Sequence, residues 1–270
     1  MKGDLHVHTD ISDSSYNIEQ TLAMAKENGV THIGIVNHDT VRGLSEAIDM
    51  GKEVGVKVIP GIEISAYDFK NKRKVHILGY NFNLEAKHIR KLCDPLLEKR
   101  DANSEWQIKT LINEGYDIDL NYIEEKSKNS QIVYKQHIMS ALIKNHYTDN
   151  IYSDLYKRLF KNSGICANDI TYIDIFDALK AIKDDGGMAI LAHPGQLNSY
   201  DIILDLVANG LDGIEINHHS HSEEDIKIIS DIAGVYGLIL TGGSDFHGEY
   251  GELQIKIGDI ESPKEFLELF

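Results

Sequence analysis

The chain has 270 residues, of which 42% are hydrophobic and 26% are charged, with only 4 prolines. This composition is typical of a folded protein and excludes extensive disorder. The formal net charge of -16 argues against a protein that binds long duplex nucleic acid by attraction to its phosphates. A small anionic substrate is compatible with this charge, because bound divalent cations would restore positive charge locally.

The N-terminal segment has no basic and then apolar leader, and no apolar run approaches the roughly 18 residues that a membrane span needs. We therefore expect a cytoplasmic, unprocessed protein that does not associate with a membrane. The two cysteines, Cys93 and Cys166, lie far apart in the sequence. They predict neither a disulfide framework nor a cysteine-ligated zinc site.

The first third of the chain alternates short apolar stretches with segments of helical spacing. Asn17 is placed to cap the first helix, and Gly29 follows its last turn. In chain order we predict a strand at 3–8, a helix at 18–28, a strand at 31–36, a helix at 45–54, and strands at 56–65 and 74–80.

From about residue 84 to residue 168 the strand pattern disappears, and charged segments rich in Lys, Glu, Asn and Tyr follow. Helical spacing is clearest at 86–115 and 131–146. We predict that residues 84–168 form an inserted helical subdomain.

The alternation then returns. In chain order we predict a helix at 174–185, a strand at 188–193, a helix at 200–209, a strand at 213–217, a helix at 223–236, a strand at 238–241 and a closing helix at 262–270. Repeated strand–helix units predict an α/β barrel of about seven strands. Residues 1–83 and 169–270 would form this barrel domain.

Ionisable residues lie at the ends of these predicted strands, where a buried strand normally carries Val, Ile and Leu. Burying such groups costs several kcal/mol unless they are paired or bound to metal. Because strand ends in a parallel barrel open on one face, we expect these side chains to meet. They are His6, His8, His38, Glu63, His193, Asp245 and His247.

His6 and His8 are two positions apart on one strand and therefore point to the same face. Asp245 and His247 have the same spacing. Imidazole and carboxylate groups are the ligands expected for zinc, manganese or iron. One such pair is weak evidence in a chain with 13 histidines, but two pairs at strand ends indicate a site for divalent metal.

The segments DLHVHT, NHD, GIEIS, VHILGY, AHPG and GSDFHG resemble, in this order, the motifs of the PHP (polymerase and histidinol phosphatase) family. The resemblance covers nearly the whole chain. It is strongest to the stand-alone TrpH-type phosphoesterases, which carry a helical insertion between the HILGY-like and AHP-like motifs. It implies a distorted, TIM-like (β/α) barrel of seven strands and a metal-dependent phosphoric ester hydrolase.

The resemblance also implies two or three divalent ions, Mn, Fe or Zn, and a metal-bridging hydroxide as nucleophile. The first ion would be held by His6, His8, Glu63 and Asp245, the second by Glu63, His76 and His193, and the third by Asp13, His38 and His247. Glu63 would then bridge the first two ions.

Two residues are candidates for proton transfer, Asp39 and His221, although Asp39 would serve equally to orient a ligand imidazole. Lys135 and His137 occupy the place of an Arg-x-His-like element of TrpH-type relatives, so they are candidates for substrate binding, as is His221. Lys135 lacks the bidentate fork of arginine, and we expect it to alter substrate affinity or choice.

The remaining histidines have no spacing that demands a role, and we expect them at the surface or outside the ligand set. They are His32, His88, His146, His218 and His219.

The implied substrate is a nucleotide or short RNA, either a 3′,5′-bisphosphonucleotide or an oligoribonucleotide trimmed from its 5′ end. A histidinol-phosphate-type phosphatase is the alternative within the family. An amidohydrolase-like metal hydrolase is the first alternative outside it, although the set of Asp13, His38 and His247 favours phosphate. A non-catalytic, metal-stabilised module is the second.

Overall fold

The computed structural model describes residues 1–251 and 254–270, and it confirms an α/β fold built on a nearly closed barrel. The strands are β1 (Gly3–Val7), β2 (His32–Ile35), β3 (Lys57–Asp68), β4 (Arg73–Tyr80), β5 (Ile173–Asp174), β6 (Met188–Leu191), β7 (Gly213–Asn217) and β8 (Ile239–Gly242). Seven of them pair in the order β1-β2-β3-β4-β6-β7-β8, and the short β5 pairs with β3 outside this path. A bridge between Val7 and Phe246 joins β1 to the segment after β8.

The barrel is distorted, as the resemblance implied, because its strands are not all parallel; the assumption of parallel strands, used to bring the strand ends to one face, does not hold for β4. β3 and β4 form an antiparallel hairpin, and β6 is antiparallel to β4. The physical reason is the short connection at 69–72, because two parallel strands would need a crossover of a dozen or more residues. β4 therefore brings its side chains to the barrel mouth from the direction opposite to its neighbours.

The helices surround this barrel. They are α1 (Ile18–Glu27), α2 (Leu44–Val54), α3 (Lys87–Asn113), α4 (Leu120–Lys126), α5 (Lys135–Lys144), α6 (Asp154–Phe160), α7 (Ile175–Asp184), α8 (Pro194–Leu197), α9 (Ile203–Ala208), α10 (Glu223–Tyr236) and α11 (Lys264–Leu267). Among the described residues, no helix is long and apolar enough to cross a bilayer.

Local signals placed most of these helices correctly. Asn17 caps α1 as predicted, since its side chain accepts the N–H of Gln20 at 2.9 Å and the Gln20 side chain accepts that of Asn17 at 3.0 Å. The predicted helix at 200–209 differs, because a 3₁₀ turn, Tyr200–Ile202, precedes α9.

The helices between β4 and β5 have an apolar core of their own. Leu111, Ile138 and Leu142 are fully buried in it. Tyr250, from the segment after β8, packs into the same core, so these helices rest against the barrel. The extent of the subdomain, 84–168, stays a prediction.

Tyr80 fastens β4 to β1 across the barrel interior. It is fully buried, and its hydroxyl donates to the carbonyl of Leu5 at 2.7 Å. We expect Tyr80→Phe to lower the free energy of unfolding by about 1–2 kcal/mol, because the buried carbonyl loses its donor. Urea unfolding measures this loss. Tyr236→Phe, which alters a half-exposed ring on α10, is the control, and equal losses in both variants would contradict the role of the buried hydrogen bond.

Candidate metal centre

Barrel closure brings the two i, i+2 pairs together. His8 donates its backbone N–H to Phe246 O at 3.0 Å, and Phe246 donates its own to His6 O at 3.3 Å. The His6 and His8 ring centroids are 5.3 Å apart, and the His8 and His247 rings stack at 4.1 Å. The shared face predicted from spacing is therefore present.

Glu63 lies in the middle of β3, not at its end as the sequence suggested. The segment after β2 pairs with it there, because Asp39 N–H donates to Glu63 O at 2.9 Å and a bridge joins His38 to Glu63. This pairing places the His38 side chain beside the Glu63 carboxylate.

The Glu63 carboxylate is surrounded by five imidazoles. Its Oε1 lies 2.7 Å from His76 Nδ1 and 3.0 Å from His193 Nε2, and its Oε2 lies 3.3 Å from His6 Nε2, 3.2 Å from His8 Nε2 and 3.3 Å from His38 Nε2. The two oxygens thus face different histidines. A carboxylate in this position is suited to bridge two cations.

Asp245 completes the group around His6 and His8. Its Oδ1 lies 3.3 Å from His6 Nε2 and 3.2 Å from His8 Nε2. In a tetrahedral site, ligand atoms about 2.0–2.1 Å from an ion lie about 3.3 Å from one another. The separations therefore match the edges of a metal coordination shell.

Several buried polar atoms here have no hydrogen-bond partner within 1–251 and 254–270. They are His6 Nε2, both ring nitrogens of His8, Asp13 Oδ1, Glu63 Oε2 and His193 Nδ1. Burying polar groups without a partner costs free energy. A divalent cation bound by these converging histidine and carboxylate groups would offset that cost. The donor set fits a metal site.

In each of three groups of side chains, the donor atoms lie within 4.8 Å of one another. These groups correspond closely to the ligand sets of the three implied ions. They are His6, His8, Glu63 and Asp245; His38, Glu63 and His76; and His8, Asp13, His38 and His247. The second set contains His38 where the resemblance placed His193, although His193 contacts the same Glu63 oxygen as His76. The assignment of ligands to individual ions stays a prediction.

The electrostatics of the cluster favour ionised carboxylates. Burial alone would raise the pKa of Glu63, but His38, His76 and His6 hold it well below its ordinary value. The pKa of Asp245 is likewise held well below its ordinary value by His6 and His247, against the effect of burial. Both groups are thus prepared to bind cations at neutral pH.

Three residues of the centre have positive φ angles: Asp39 at 58°, His193 at 22° and Asp245 at 53°. Such conformations cost of order 1–3 kcal/mol each and persist where the surroundings determine them. Gly243 contributes to these surroundings by packing directly against His6. A Cβ at this position would collide with the His6 backbone.

Sequence reasoning missed Glu215. It is buried on β7, its Oε1 lies 2.9 Å from His6 Nδ1, and its Oε2 accepts the backbone N–H of His193 at 2.9 Å. Carboxylates in this position orient ligand imidazoles. The signal was present, because GIEIN at 213–217 repeats the strand pattern of GIEIS around Glu63.

Asp4 was also missed. It is buried and accepts the backbone N–H groups of His6, Ser244 and Gly258 at 3.3, 2.9 and 2.8 Å. Burial raises its pKa to about 6. Asp4 thereby ties the segment that carries Asp245 to β1.

Asp39 is held from two sides. Its Oδ1 accepts the backbone N–H of Ser65 at 2.7 Å, and its Oδ2 accepts from Arg100 on α3 at 2.6 Å. Arg100 also reaches Ser65 Oγ at 3.2 Å. These hydrogen bonds join Asp39 to Ser65 and Arg100 and not to a ligand imidazole, so its orienting role and its part in proton transfer both stay predictions.

The candidate substrate residues lie in different surroundings. Lys135 lines a cavity of about 230 Å³ together with Asp13, His38, His76 and Arg100. His137 is buried and accepts the backbone N–H of Tyr134 at Nδ1, 3.1 Å away. The described lining of this cavity does not include His137.

Both ring nitrogens of His221 contact the main chain. Nδ1 lies 2.8 Å from Ile216 O, and Nε2 accepts the N–H of Gly195 at 3.2 Å. In this arrangement neither nitrogen is free to bind phosphate, and its predicted roles have no support from these contacts.

Two histidines that the sequence left out lie beside the centre. His218 Nε2 is 3.4 Å and His219 Nε2 is 4.0 Å from Asp245 Oδ2. Their spacing, directly after β7, offered no signal, because the contact depends on how the loop folds back.

A sequence profile of the PHP domain matches residues 4–219. The chain belongs to the PHP family. It is 47% identical over 93% of its length to a phosphoribosyl 1,2-cyclic phosphate 1,2-diphosphodiesterase of Eggerthella lenta, of which 95% is covered. It is 28% identical over 94% of its length to a 5′-3′ exoribonuclease of Haemophilus influenzae, of which 93% is covered. A 3′,5′-nucleoside bisphosphate phosphatase of Chromobacterium violaceum is 26% identical over 92% of this chain and 88% of its own length.

Solved structures show the same fold. A protein of Bifidobacterium adolescentis classed as a metal-dependent phosphoesterase has a TM-score of 0.90, with 24% identity over 99% of this chain and 94% of its own. An amidohydrolase of Chromobacterium violaceum with bound sulfate has a TM-score of 0.86, with 24% identity over 97% and 91%. Membership of the PHP family and the curated relatives together show that this chain is a metal-dependent phosphoesterase, as the resemblance implied.

Loss of the Glu215 carboxylate tests the centre without removing a ligand. We expect Glu215→Gln to weaken divalent metal binding about 10- to 100-fold, because His6 loses its ionic partner at Nδ1. Titration of the apoprotein with Mn²⁺ measures this. Glu223→Gln, on the exposed first turn of α10, is the matched control, and equal affinities in the two variants would contradict the orienting role.

Proposed function

We propose that this PHP enzyme hydrolyses a phosphate ester of a small ribose phosphate that carries a second phosphate group. The cyclic phosphodiester of a phosphorylated ribose is the substrate we favour, and a 3′,5′-bisphosphonucleotide is the second candidate. The observation that carries the proposal is the cavity of about 230 Å³, whose lining includes both metal-ligand candidates and a group of cationic side chains, which we call the cationic wall.

The cationic wall consists of Lys74, Arg100 and Lys135. Asp169 lies between the two lysines, 2.7 Å from Lys74 Nζ and 3.8 Å from Lys135 Nζ. Because Arg100 is also paired with Asp39 at 2.6 Å, these three cations and their two carboxylate partners carry a surplus of one positive charge, in a chain whose net charge is -16. Such a wall suits a phosphate group that does not react.

The relatives support a substrate with two phosphates. The name of the 47% identical relative describes a phosphorylated ribose with a cyclic phosphate, and that of the 26% identical phosphatase describes a nucleoside with two phosphates. Ligand pockets usually measure roughly 300–1,000 Å³. The smaller cavity favours a sugar phosphate over an oligonucleotide, and a single-phosphate substrate such as histidinol phosphate would leave the cationic wall unused.

Two or three divalent ions, Mn, Fe or Zn, would be held by the nine predicted ligands, with Glu63 shared between two of them. When bound, such ions supply activation of water and stabilisation of developing negative charge. The protein supplies the rest: Glu215 and Asp4 fix His6 and the segment before Asp245, and Lys135 holds the second phosphate.

The test is a comparison of substrates with the Mn²⁺-reconstituted protein: phosphoribosyl 1,2-cyclic phosphate, a 3′,5′-bisphosphonucleotide, a 5′-phosphorylated RNA oligomer and histidinol phosphate. We expect the cyclic ribose diester to have the highest kcat/KM, and Asp245→Ala to abolish activity while Asp231→Ala, on the exposed face of α10, retains it. Hydrolysis of the oligomer alone would replace this proposal with an exoribonuclease. Absence of hydrolysis of all four would overturn it.

The pH dependence of KM tests Lys135 separately. Burial, with further contributions from Lys74 and Arg100, lowers the pKa of Lys135 to about 8. A lowered lysine pKa means that the charge is present below pH 8 and is lost as pH rises through this value. Since a phosphate monoester is already fully ionised there, we expect KM to increase above pH 8.

Lys135→Arg should remove this increase, because guanidinium stays charged. Lys180→Arg, at an exposed lysine of α7, is the control and should keep it. Identical pH profiles in all three proteins would contradict a role for Lys135 in phosphate binding.

A further inference from the structure

His218 contacts the Asp245 carboxylate at its second oxygen, Oδ2. Its Nε2 lies 3.4 Å from Asp245 Oδ2, and its side chain is fully buried. The Asp245 oxygen that approaches His6 and His8 is the other one, Oδ1. The two oxygens therefore have separate partners.

The tautomer of His218 follows from its other nitrogen. Nδ1 accepts the backbone N–H of Ser220 at 3.2 Å, and Ser220 Oγ lies 2.7 Å away. Because a backbone N–H can only donate, Nδ1 carries no proton. In the neutral ring the proton is therefore on Nε2, where it can be donated to Asp245 Oδ2 at 3.4 Å.

This hydrogen bond restricts a rotation that the backbone leaves free. A carboxylate turns readily about its terminal torsion, and the positive φ of Asp245 fixes only its main chain. With Oδ2 held by a buried ring, Oδ1 is directed at His6 and His8. Partners of this kind set the affinity of a metal ligand.

We propose that His218 is a positioning residue that holds Asp245 Oδ1 toward His6 and His8 and thereby sets the affinity of the ion they share. The proposal rests on the metal-ligand assignments made above. It does not depend on the substrate, because the property it concerns is metal binding. The sequence gives His218 no such role.

His218, His219 and Asp245 also have donor atoms within 4.8 Å of one another, which raises the alternative of a further cation between them. The geometry favours the positioning role, because a neutral His218 that bound a cation through Nε2 would carry its proton on Nδ1, where it accepts the Ser220 N–H. The alternative predicts an additional equivalent of bound metal.

Two substitutions of His218, by side-chain amides of different length, distinguish the positioning role from a further cation site. In His218→Gln the side-chain amide reaches the position of Nε2 and can still donate to Asp245 Oδ2. In His218→Asn the same amide is one methylene shorter and falls short of it. Both variants keep a polar, uncharged side chain at a buried position.

Apoproteins are titrated with Mn²⁺ against a competing chelator, which gives stoichiometry and affinity. We expect His218→Asn to weaken the tightest site about 10- to 100-fold, and His218→Gln to stay within about threefold of the wild type, with equal numbers of ions bound. His88→Gln is the matched control. It alters another histidine–carboxylate pair, His88 Nδ1 to Asp185 Oδ1 at 2.8 Å, away from the centre.

Circular dichroism and urea unfolding of the apoproteins show whether each variant is folded. Equal Mn²⁺ affinities for the Asn and Gln variants would overturn the proposal. So would loss of one whole equivalent of metal in both, because His218 would then be a ligand itself. Failure of the proposed substrate to react, with this pattern of affinities intact, would leave the positioning role standing.

Discussion

The barrel mouth depends on one constraint, which is the burial of the Glu63 carboxylate among five imidazoles. A lone buried carboxylate would be neutral, because desolvation penalises its charge. Here the surrounding histidines reverse that effect and keep the pKa well below its ordinary value. The register of strands β1, β3, β4 and β6 places these side chains next to one another. The geometry of the centre therefore depends on the fold, and the charges of the centre in turn constrain the register of the strands.

A shell of hydrogen bonds fixes the direction of these side chains. Glu215 contacts the ring of His6 and the backbone of His193, and Asp4 collects three backbone N–H groups around the segment that carries Asp245. Buried carboxylates are expensive unless they are satisfied in this way. They explain how residues at positive φ are held in one conformation, which a metal centre needs for defined geometry.

The inserted helices do more than cover the barrel. Gln136 donates to Asp13 Oδ2 at 2.9 Å, and Tyr134 donates to His38 O at 3.2 Å. Arg100 reaches from α3 to Asp39, and Lys135 begins α5 at the cavity wall. The barrel segments thus carry the candidate metal ligands, while these helices contact two of them, Asp13 and His38, and line the same cavity.

The sequence by itself determined the class of fold, most element positions and the residues most suited to bind metal. It could do so because these signals are local: two-residue spacing places His6 and His8 on one face, and a polar group in an apolar strand has few explanations. The antiparallel course of β4 was also available from the sequence, because the predicted connection between β3 and β4 is too short for a parallel crossover. The tertiary structure decided which residues distant in sequence become partners. Arg100 meets Asp39 across 61 residues and Glu215 meets His6 across 209. Contacts between residues so far apart produce no periodic pattern in the sequence, because they arise only when the barrel closes and the loops fold onto it.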